Sequence, residues 1–149
     1  MRVIELKTVF NQLIGTWSLH RDIFDAAGHS NLVGTCVFSV LDDNRILCEE
    51  NGILNYNGNQ TEASRSYIYE YRDDKITILY NDAHRAGDVL HELKFMTEGQ
   101  NQVARHCHYC GADTYDIEFN LLPDGKIQMN YVVKGPHKDY QMRTTLTPK

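Results

Sequence analysis

The chain has 149 residues, of which 42% are hydrophobic, and it carries a formal net charge of -5 at pH 7. This length predicts one domain, residues 1–149, that is large enough to bury a core without disulfides or metals. Because Lys and Arg form no runs, we expect neither nucleic acid nor a membrane surface as a partner. A small-molecule ligand, or another protein, is the expected partner, and the oligomeric state is left open.

The sequence favours a cytoplasmic location. It opens with no charged-then-apolar leader, and none of its apolar stretches is long enough to cross a bilayer. Four cysteines are too few for a disulfide scaffold, so free thiols are expected in a reducing compartment. They are Cys36, Cys48, Cys107 and Cys110.

The spacing of apolar residues predicts one short helix followed by strands. Between residues 5 and 14, apolar residues recur three and four positions apart, which is typical of one face of a helix that plugs an open end of the fold. Gly15 ends this helix, and ten strand-like stretches follow, separated mainly by turns rich in Asp, Asn and Gly. They cover residues 16–25, 32–41, 45–56, 62–72, 75–80, 89–97, 102–110, 114–122, 126–133 and 139–146.

Strands joined by tight turns predict an all-β fold, a closed antiparallel up-and-down barrel of about ten strands with a short N-terminal helix. Closure is favoured because it removes two exposed sheet edges. The interior of such a barrel is too wide for side chains alone to fill, so a ligand cavity is expected. Residues 81–88 are predicted to form a loop at its rim.

The stretch 105–115 carries the most chemically active side chains. Strand alternation separates its even-numbered residues from Cys107 and Tyr109. A bulge at Gly111 would bring the later odd-numbered residues back to the even-numbered face. That face would then carry His106, His108, Cys110, Asp113 and Tyr115.

A second group of polar candidates lies on other strands. Arg65 and Tyr67 share one strand face, either within an outward aromatic ladder or as inward groups that meet a polar ligand. Glu50 is the expected ion-pair partner of Arg65, since an unpaired charge inside a barrel is costly. Near the last turn, Lys138 and Tyr140 share a face that is predicted to reach the mouth of the cavity.

Several of these residues fall in motifs with a characteristic order. The motifs are Gly15-Thr16-Trp17, Glu50-x-Gly52, Arg65-x-Tyr67-x-Tyr69, His108-x-Cys110-Gly111-x-Asp113-x-Tyr115 and Gly135-Pro136-x-Lys138-Asp139-Tyr140. From about residue 15 to 143, the chain resembles an uncharacterised family of small calycin-like barrel domains, related in form to lipocalins and fatty-acid-binding proteins. The resemblance implies a barrel in which Trp17 packs beneath Arg143. It implies a fold rather than an activity, because the family has no settled function.

Metal and redox chemistry are only weakly indicated. Cys107 and Cys110 form a Cys-x-x-Cys motif, but they lie in a strand on opposite faces, whereas redox motifs of this kind begin a helix. No second ligand pair at zinc-finger spacing is visible, so no metal is assigned. An open site on the histidine-bearing face of this strand, completed by His91 or Asp113, is left as an alternative, and so is haem.

The favoured function is the binding or carriage of a small molecule with an anionic or carbonyl group. The ligand-binding candidates are Glu50, Arg65, Tyr67, His91, His106, Cys110, Tyr115, Lys138 and Tyr140, with His108 beside them. The alternative is a lyase, isomerase or hydrolase in which His108 and Asp113 form an acid-base pair. Two further possibilities are a buried hydrogen-bond network without chemistry, and a protein-interaction module with a broad apolar outer patch.

Overall fold

The computed structural model describes residues 5–149, which form one short helix and eleven antiparallel strands. The predicted all-β class is confirmed, whereas the prediction about a leader rests partly on residues 1–4, which lie outside the described residues. The elements are α1 (Leu6–Gln12), β1 (Gly15–Asp25), β2 (Gly28–Asp42), β3 (Arg45–Tyr56), β4 (Asn59–Arg72), β5 (Lys75–Tyr80), β6 (Val89–Leu93), β7 (Met96–Glu98), β8 (Asn101–Cys110), β9 (Asp113–Leu121), β10 (Ile127–Lys134) and β11 (Asp139–Pro148). Among the described residues, no helix combines the length and apolar character that a membrane span requires.

The strands form one curled sheet in the order β6-β5-β4-β3-β2-β1-β11-β10-β9-β8-β7. Neighbours in the sheet are neighbours along the chain, apart from the β1–β11 pair at its centre. The two edge strands, β6 and β7, are joined by only two residues, Lys94 and Phe95. Since two residues span only about 7 Å, the sheet must curl until its edges lie close together.

One predicted strand is divided in two, and for this reason there are eleven strands rather than about ten. The sequence pattern predicts a single strand over residues 89–97, but β6 pairs with β5 and β7 pairs with β8. Leu93 and Phe95 are both buried, with exposed Lys94 between them. The alternation of apolar and polar residues therefore continues through the break and hides it in the sequence.

Side chains bridge the two ends of the curled sheet. His91 Nδ1 on β6 lies 2.9 Å from His106 Nδ1 on β8, and His91 Nε2 lies 3.0 Å from the Tyr131 hydroxyl on β10. Within residues 5–149, no backbone ladder joins β6 to β7 or to β8. The observed architecture is therefore a curled half-barrel.

The helix α1 covers one end of the sheet, as its apolar spacing predicts. Its residue Phe10 is 1% exposed, and the Phe10 ring lies 6.0 Å from the ring of Tyr71. Just beyond the helix, the carbonyl of buried Leu13 accepts a hydrogen bond from Trp17 Nε1 at 2.9 Å. Burial of a Phe-sized side chain contributes roughly 1.5–3 kcal/mol, so these contacts hold the helix on the sheet. The helix is shorter than the predicted span of residues 5–14, and β1 begins at Gly15 as predicted for the end of the helix.

The interior changes from apolar beside α1 to polar at the opposite end. Along β1, the inward-facing residues run from Trp17 and Leu19 to the buried charge of Arg21. Along β4, they run from Arg65 at the polar end to the buried Tyr69. The helix-proximal half is therefore packed core, and any ligand must enter at the other half.

The contact between Trp17 and Arg143 that the family resemblance implies is not formed. Inward-facing residues of β11 are even-numbered, for example buried Met142, so Arg143 points to the outer face. There the Arg143 guanidinium carbon lies 6.0 Å from the centre of the Phe24 ring. Trp17 instead packs within the core and contacts Leu13. The expectation was wrong because strand parity places these two residues on opposite faces of the sheet.

The contacts of His91 with His106 and Tyr131, here called the histidine bridge, predict that the fold is sensitive to acid. Burial, with smaller contributions from His106 and His108, lowers the pKa of His91 from 6.5 to about 3. Because the unfolded chain takes up this proton near pH 6.5 while the folded chain does not, stability falls as the pH drops from that value towards 3. We expect the free energy of unfolding to fall by about 2 kcal/mol between pH 7 and pH 5, as measured by urea denaturation.

Two variants separate this effect from general acid sensitivity. His91→Gln should flatten the dependence of stability on pH, because the titrating group is gone. His137→Gln changes an exposed histidine and should leave that dependence as it is in the wild type. Equal pH dependence in the wild type and in His91→Gln would contradict the assignment.

Candidate functional site

The hairpin of β8 and β9 carries the residues of the stretch 105–115. Its register places His108 opposite Tyr115 and Cys110 opposite Asp113. Directly opposed residues of an antiparallel pair share a face, so the predicted common face is confirmed. The predicted bulge is wrong, because the strands are joined by a two-residue turn in which Gly111 has a φ of 61°. Because the turn contains two residues, the odd-numbered residues of β9 lie on the same face as the even-numbered residues of β8, and no bulge is needed.

An interior pocket of about 620 Å³ lies at the polar end of the curled sheet. Six predicted ligand-binding residues line it, namely Glu50, Arg65, Tyr67, Tyr115, Lys138 and Tyr140. Further residues that sequence reasoning did not assign to the site also line it, among them Arg21, Tyr80, Asp82, Arg85 and Tyr131. The other predicted residues lie elsewhere: His91 and His106 bridge the sheet edges, while Cys110 is exposed at the hairpin end.

A buried ion pair lies at the floor of this pocket. Arg21 on β1 donates from Nη1 and Nη2 to the two Glu50 oxygens on β3, at 3.0 and 2.9 Å. Its Nε also donates to the Thr144 hydroxyl on β11 at 2.7 Å. Burial alone would lower the pKa of Arg21, but the charge and hydrogen bonds of Glu50 outweigh it and raise this pKa. The Arg21 guanidinium therefore stays charged.

This pair corrects the expectation that Glu50 binds Arg65. The register does place Glu50 opposite Arg65 across β3 and β4. The two carboxylate oxygens are nevertheless taken by Arg21, whose planar guanidinium matches them bidentately. Among residues 5–149, Arg65 forms no ion pair, and its side chain lines the pocket from the inner face of β4.

Lys138 and Tyr115 form a second polar group at the mouth of the pocket. Lys138 Nζ donates to the Tyr115 hydroxyl at 2.6 Å and lies 3.4 Å from an Asp113 carboxylate oxygen. The hydrogen bond with Tyr115, and next to it the one with Asp113, raise the pKa of Lys138. A side chain at Gly135 would overlap the Asp113 carboxylate, so this glycine leaves room for the carboxylate.

The loop between β5 and β6 forms one side of the pocket, as predicted for a rim segment. Asp82 accepts hydrogen bonds from the backbone of His84 and Arg85, which shapes the turn. Its other oxygen binds the Arg85 side chain at 2.8 Å. The Arg85 guanidinium carbon lies 4.0 Å from the centre of the Tyr80 ring, a cation–π contact. In the sequence, the Asp-x-x-Arg spacing of residues 82 and 85 is the feature that indicates this turn.

His108, on β8, lies among aromatic rings from three other strands. The ring of His108 lies 6.0 Å from that of Tyr115 and 6.3 Å from those of Tyr80 and His91. In the described part of the chain, no hydrogen bond joins His108 to Asp113, whose ion pair is with Lys138. The acid-base pair of these two residues therefore stays a prediction.

A shallower groove of about 910 Å³ lies on the outer face of the sheet, across β8 to β11 and β1. Two arginines line it. Arg105 is already bound by Glu98 at 2.6 Å and by Glu118 at 3.0 Å, and Arg143 lies over the Phe24 ring. Exposed pairs of this kind are screened by solvent and contribute little. Because both arginines have partners and the surface is open to solvent, this groove is the weaker candidate, and the interior pocket is the candidate site.

A pocket inside a curled antiparallel sheet places the protein among small β-barrel domains. More specifically, the chain belongs to a family of unknown function (DUF6314), whose model matches residues 13–148. The predicted membership of an uncharacterised family is thereby confirmed. A comparison with curated proteins finds no match.

Solved structures with a similar fold include a natural protein and designed ones. The S-type phycobiliprotein lyase CPES from Guillardia theta superposes with a TM-score of 0.69 at 12% identity, covering 98% of this chain and 93% of that chain. The redesigned beta barrel mFAP1, bound to DFHBI, gives a TM-score of 0.48 at 11% identity, covering 92% and 95%. At such identities the likeness to the lyase extends to the fold alone.

Removal of one partner of the buried ion pair should be costly. Arg21→Met would leave the Glu50 carboxylate buried without its counter-charge, and we expect a loss of about 3–5 kcal/mol in the free energy of unfolding. Arg45→Met, which removes an exposed pair with Asp42, should cost less than about 1 kcal/mol. Guanidinium denaturation of both variants measures the difference, and similar losses would refute the role of Arg21.

Proposed function

We propose that the protein binds a small organic molecule that carries an anionic or carbonyl group, and that this group is held by Arg65. The proposal rests on one observation, that a single cation of the pocket has no carboxylate partner within residues 5–149. Arg21, Arg85 and Lys138 each have a carboxylate partner, whereas Arg65 has none among the described residues. A guanidinium with free donors suits a carboxylate, phosphate or carbonyl oxygen.

Groups next to Arg65 support the same ligand chemistry. Tyr67 follows it on the same face of β4, and Tyr140 lines the pocket from β11. Burial, and then the nearby Tyr115, raise the pKa of Tyr140, so this phenol remains a neutral hydrogen-bond donor at physiological pH. The Lys138 ammonium adds a second positive charge at the mouth. An anionic group would thus meet cationic and hydroxyl donors together.

The rest of the pocket favours a ligand with a flat apolar body. Tyr80 carries the Arg85 guanidinium on its face, while Leu90 and Met129 supply aliphatic surface. Tyrosine and aliphatic side chains make up about half of the pocket lining, the rest being charged or small polar residues, and about 620 Å³ lies within the usual size range of small-molecule sites. We infer an aromatic or conjugated acid rather than a small inorganic anion.

Three finer features belong to the same proposal. The sheet would act as a closed, calycin-like barrel, with the histidine bridge between β6 and β8 completing the wall. The chain would work as one domain in the cytoplasm, where its four cysteines, all free in the structure, would remain reduced. The phycobiliprotein lyase shares the fold, in keeping with a use of this fold in small-molecule chemistry.

The role of Arg65 is tested with a matched pair of probes, a naphthalene carboxylate and its uncharged primary amide. A charged hydrogen bond is worth about 1.5–3 kcal/mol, so the wild type should prefer the carboxylate by about tenfold to a hundredfold. Arg65→Gln should reduce that preference by about tenfold or more in calorimetric titrations, with Lys138 left as a remaining cation.

Arg72→Gln is the control for this experiment, since Arg72 ends the same strand but pairs with Glu70 outside the pocket. It should bind both probes as the wild type does. A carboxylate preference that is unchanged in Arg65→Gln, or one that falls equally in Arg72→Gln, would rule out Arg65 as the anion-binding group.

The position of His108 favours a second candidate function, that of a lyase, isomerase or hydrolase. His108 contacts Tyr80 and Tyr115, and both of these line the pocket. In an enzyme, His108 would transfer a proton, with the Asp113 carboxylate or the Tyr115–Lys138 pair assisting. Loss of this imidazole would affect turnover in an enzyme, but only ligand affinity in a carrier.

His108→Gln distinguishes the two functions once native mass spectrometry has identified a molecule that co-purifies with the protein. If the protein is a carrier, the variant should bind that molecule only modestly more weakly, by less than about tenfold. If it is an enzyme, binding should persist while turnover is lost, because a transition-state interaction has gone. Unchanged turnover in the variant would exclude His108 as the catalytic acid or base.

A further inference from the structure

Two cysteines and a glutamate converge on the inner face of the curled sheet, next to the pocket. Cys36 on β2 lies directly opposite Glu50 on β3, and Cys48 precedes Glu50 by two residues on the same face. The two sulfurs are 3.5 Å apart, and one ligand atom of each residue lies within 4.8 Å of the others. The exposed fractions of Cys36, Cys48 and Glu50 are 0%, 1% and 5%. Such a set of donors is not explained by the proposed anion site.

The sulfur separation fits a tetrahedral metal ion. With metal–sulfur bonds of about 2.3 Å, two thiolates of a tetrahedral site lie about 3.8 Å apart, and those of a linear two-coordinate ion about 4.6 Å apart. The observed 3.5 Å between the sulfurs of Cys36 and Cys48 is close to the first value. A shift of a few tenths of an ångström would be enough to admit a zinc-like ion.

The local charges also match a divalent cation. Two thiolates and the Glu50 carboxylate carry three negative charges, and the Arg21 guanidinium carries one positive charge. A dication therefore makes the buried group neutral, which removes the cost of an uncompensated interior charge. A monovalent ion would leave one negative charge in the core.

The bond between Arg21 and Glu50 does not prevent ligation. A carboxylate offers about four lone-pair directions, and Arg21 uses one on each oxygen. Metal-binding carboxylates are commonly oriented by such a hydrogen-bonding partner. Glu50 also lines the pocket, so the remaining coordination position of the ion would be on the pocket side.

We propose that Cys36, Cys48 and Glu50 bind one divalent transition-metal ion of the Zn²⁺ type. Thiolate ligands select zinc and its relatives over Ca²⁺ or Mg²⁺, which require oxygen ligands. Binding replaces the two thiol protons by the metal and releases them to solvent. The site is independent of the anion-binding proposal, because Arg65 takes no part in it.

Cobalt is the probe, because Co²⁺ replaces Zn²⁺ and gives thiolate-to-metal charge-transfer absorption. The protein to use is Cys107→Ser/Cys110→Ser, which removes the two cysteines of the β8 strand end and leaves only the buried pair. Titration of the reduced, chelator-treated protein should give one Co²⁺ per chain, with this absorption and the release of two protons. Added Zn²⁺ should bleach the absorption and raise the thermal unfolding midpoint.

Cys36→Ala and Cys48→Ala, each in that background, should lose the absorption and weaken binding by more than about 100-fold. Circular dichroism verifies that each variant is folded. If one of these alanine variants fails to fold, the Co²⁺ titration of Cys107→Ser/Cys110→Ser still tests the proposal, because that titration does not need the alanine variants. Absence of charge transfer at one equivalent of Co²⁺, with two free thiols counted in the same sample, would overturn the proposal, as would absorption that persists in a folded Cys36→Ala.

Discussion

The buried pair of Arg21 and Glu50 is the interaction on which the polar half of the molecule depends. It connects β1 with β3, and through Thr144 it also connects β11. A charge in such a place is tolerated only when its partner satisfies it completely, and the bidentate geometry does so. Because Glu50 is engaged in this way, Arg65 on the next strand retains free donors that face the pocket.

The two halves of the interior differ in composition and in what they contribute to the fold. Beside α1, aromatic and aliphatic side chains such as Phe10 and Phe38 fill the space and supply most of the hydrophobic stabilisation. At the other end, tyrosines combine an apolar ring with a hydroxyl, so they can line a wet pocket without leaving polar atoms unsatisfied. In the described residues, every buried side-chain nitrogen or oxygen has a hydrogen-bond partner. The polar region is thus a satisfied hydrogen-bond network rather than a loosely packed one.

The sequence allowed the strands and much of the pocket lining to be predicted, because both depend on local alternation. Arg65, Tyr67 and Lys138 were found in this way. The partner of Glu50 was not predicted, since Arg21 reaches it over the intervening strand β2. Alternation gives the face on which a side chain lies, but not which side chains of that face meet. The break at Lys94 was missed for a related reason, because the alternating pattern runs through it without a Gly or Pro. Asp113 was predicted on the correct face, but the space that its carboxylate occupies is left by Gly135, far along the chain.

The pairing of β1 with β11 at the centre of the sheet has a consequence for how the chain is made. Arg21 and Thr144 are 123 residues apart, so their contact cannot form until nearly all the intervening strands have been synthesised. Until then β1 remains an open edge that can recruit a foreign strand. Contacts between such distant residues also slow folding, because a large loop must close before they form. The β1–β11 pair is therefore among the last contacts of the sheet that can form during synthesis.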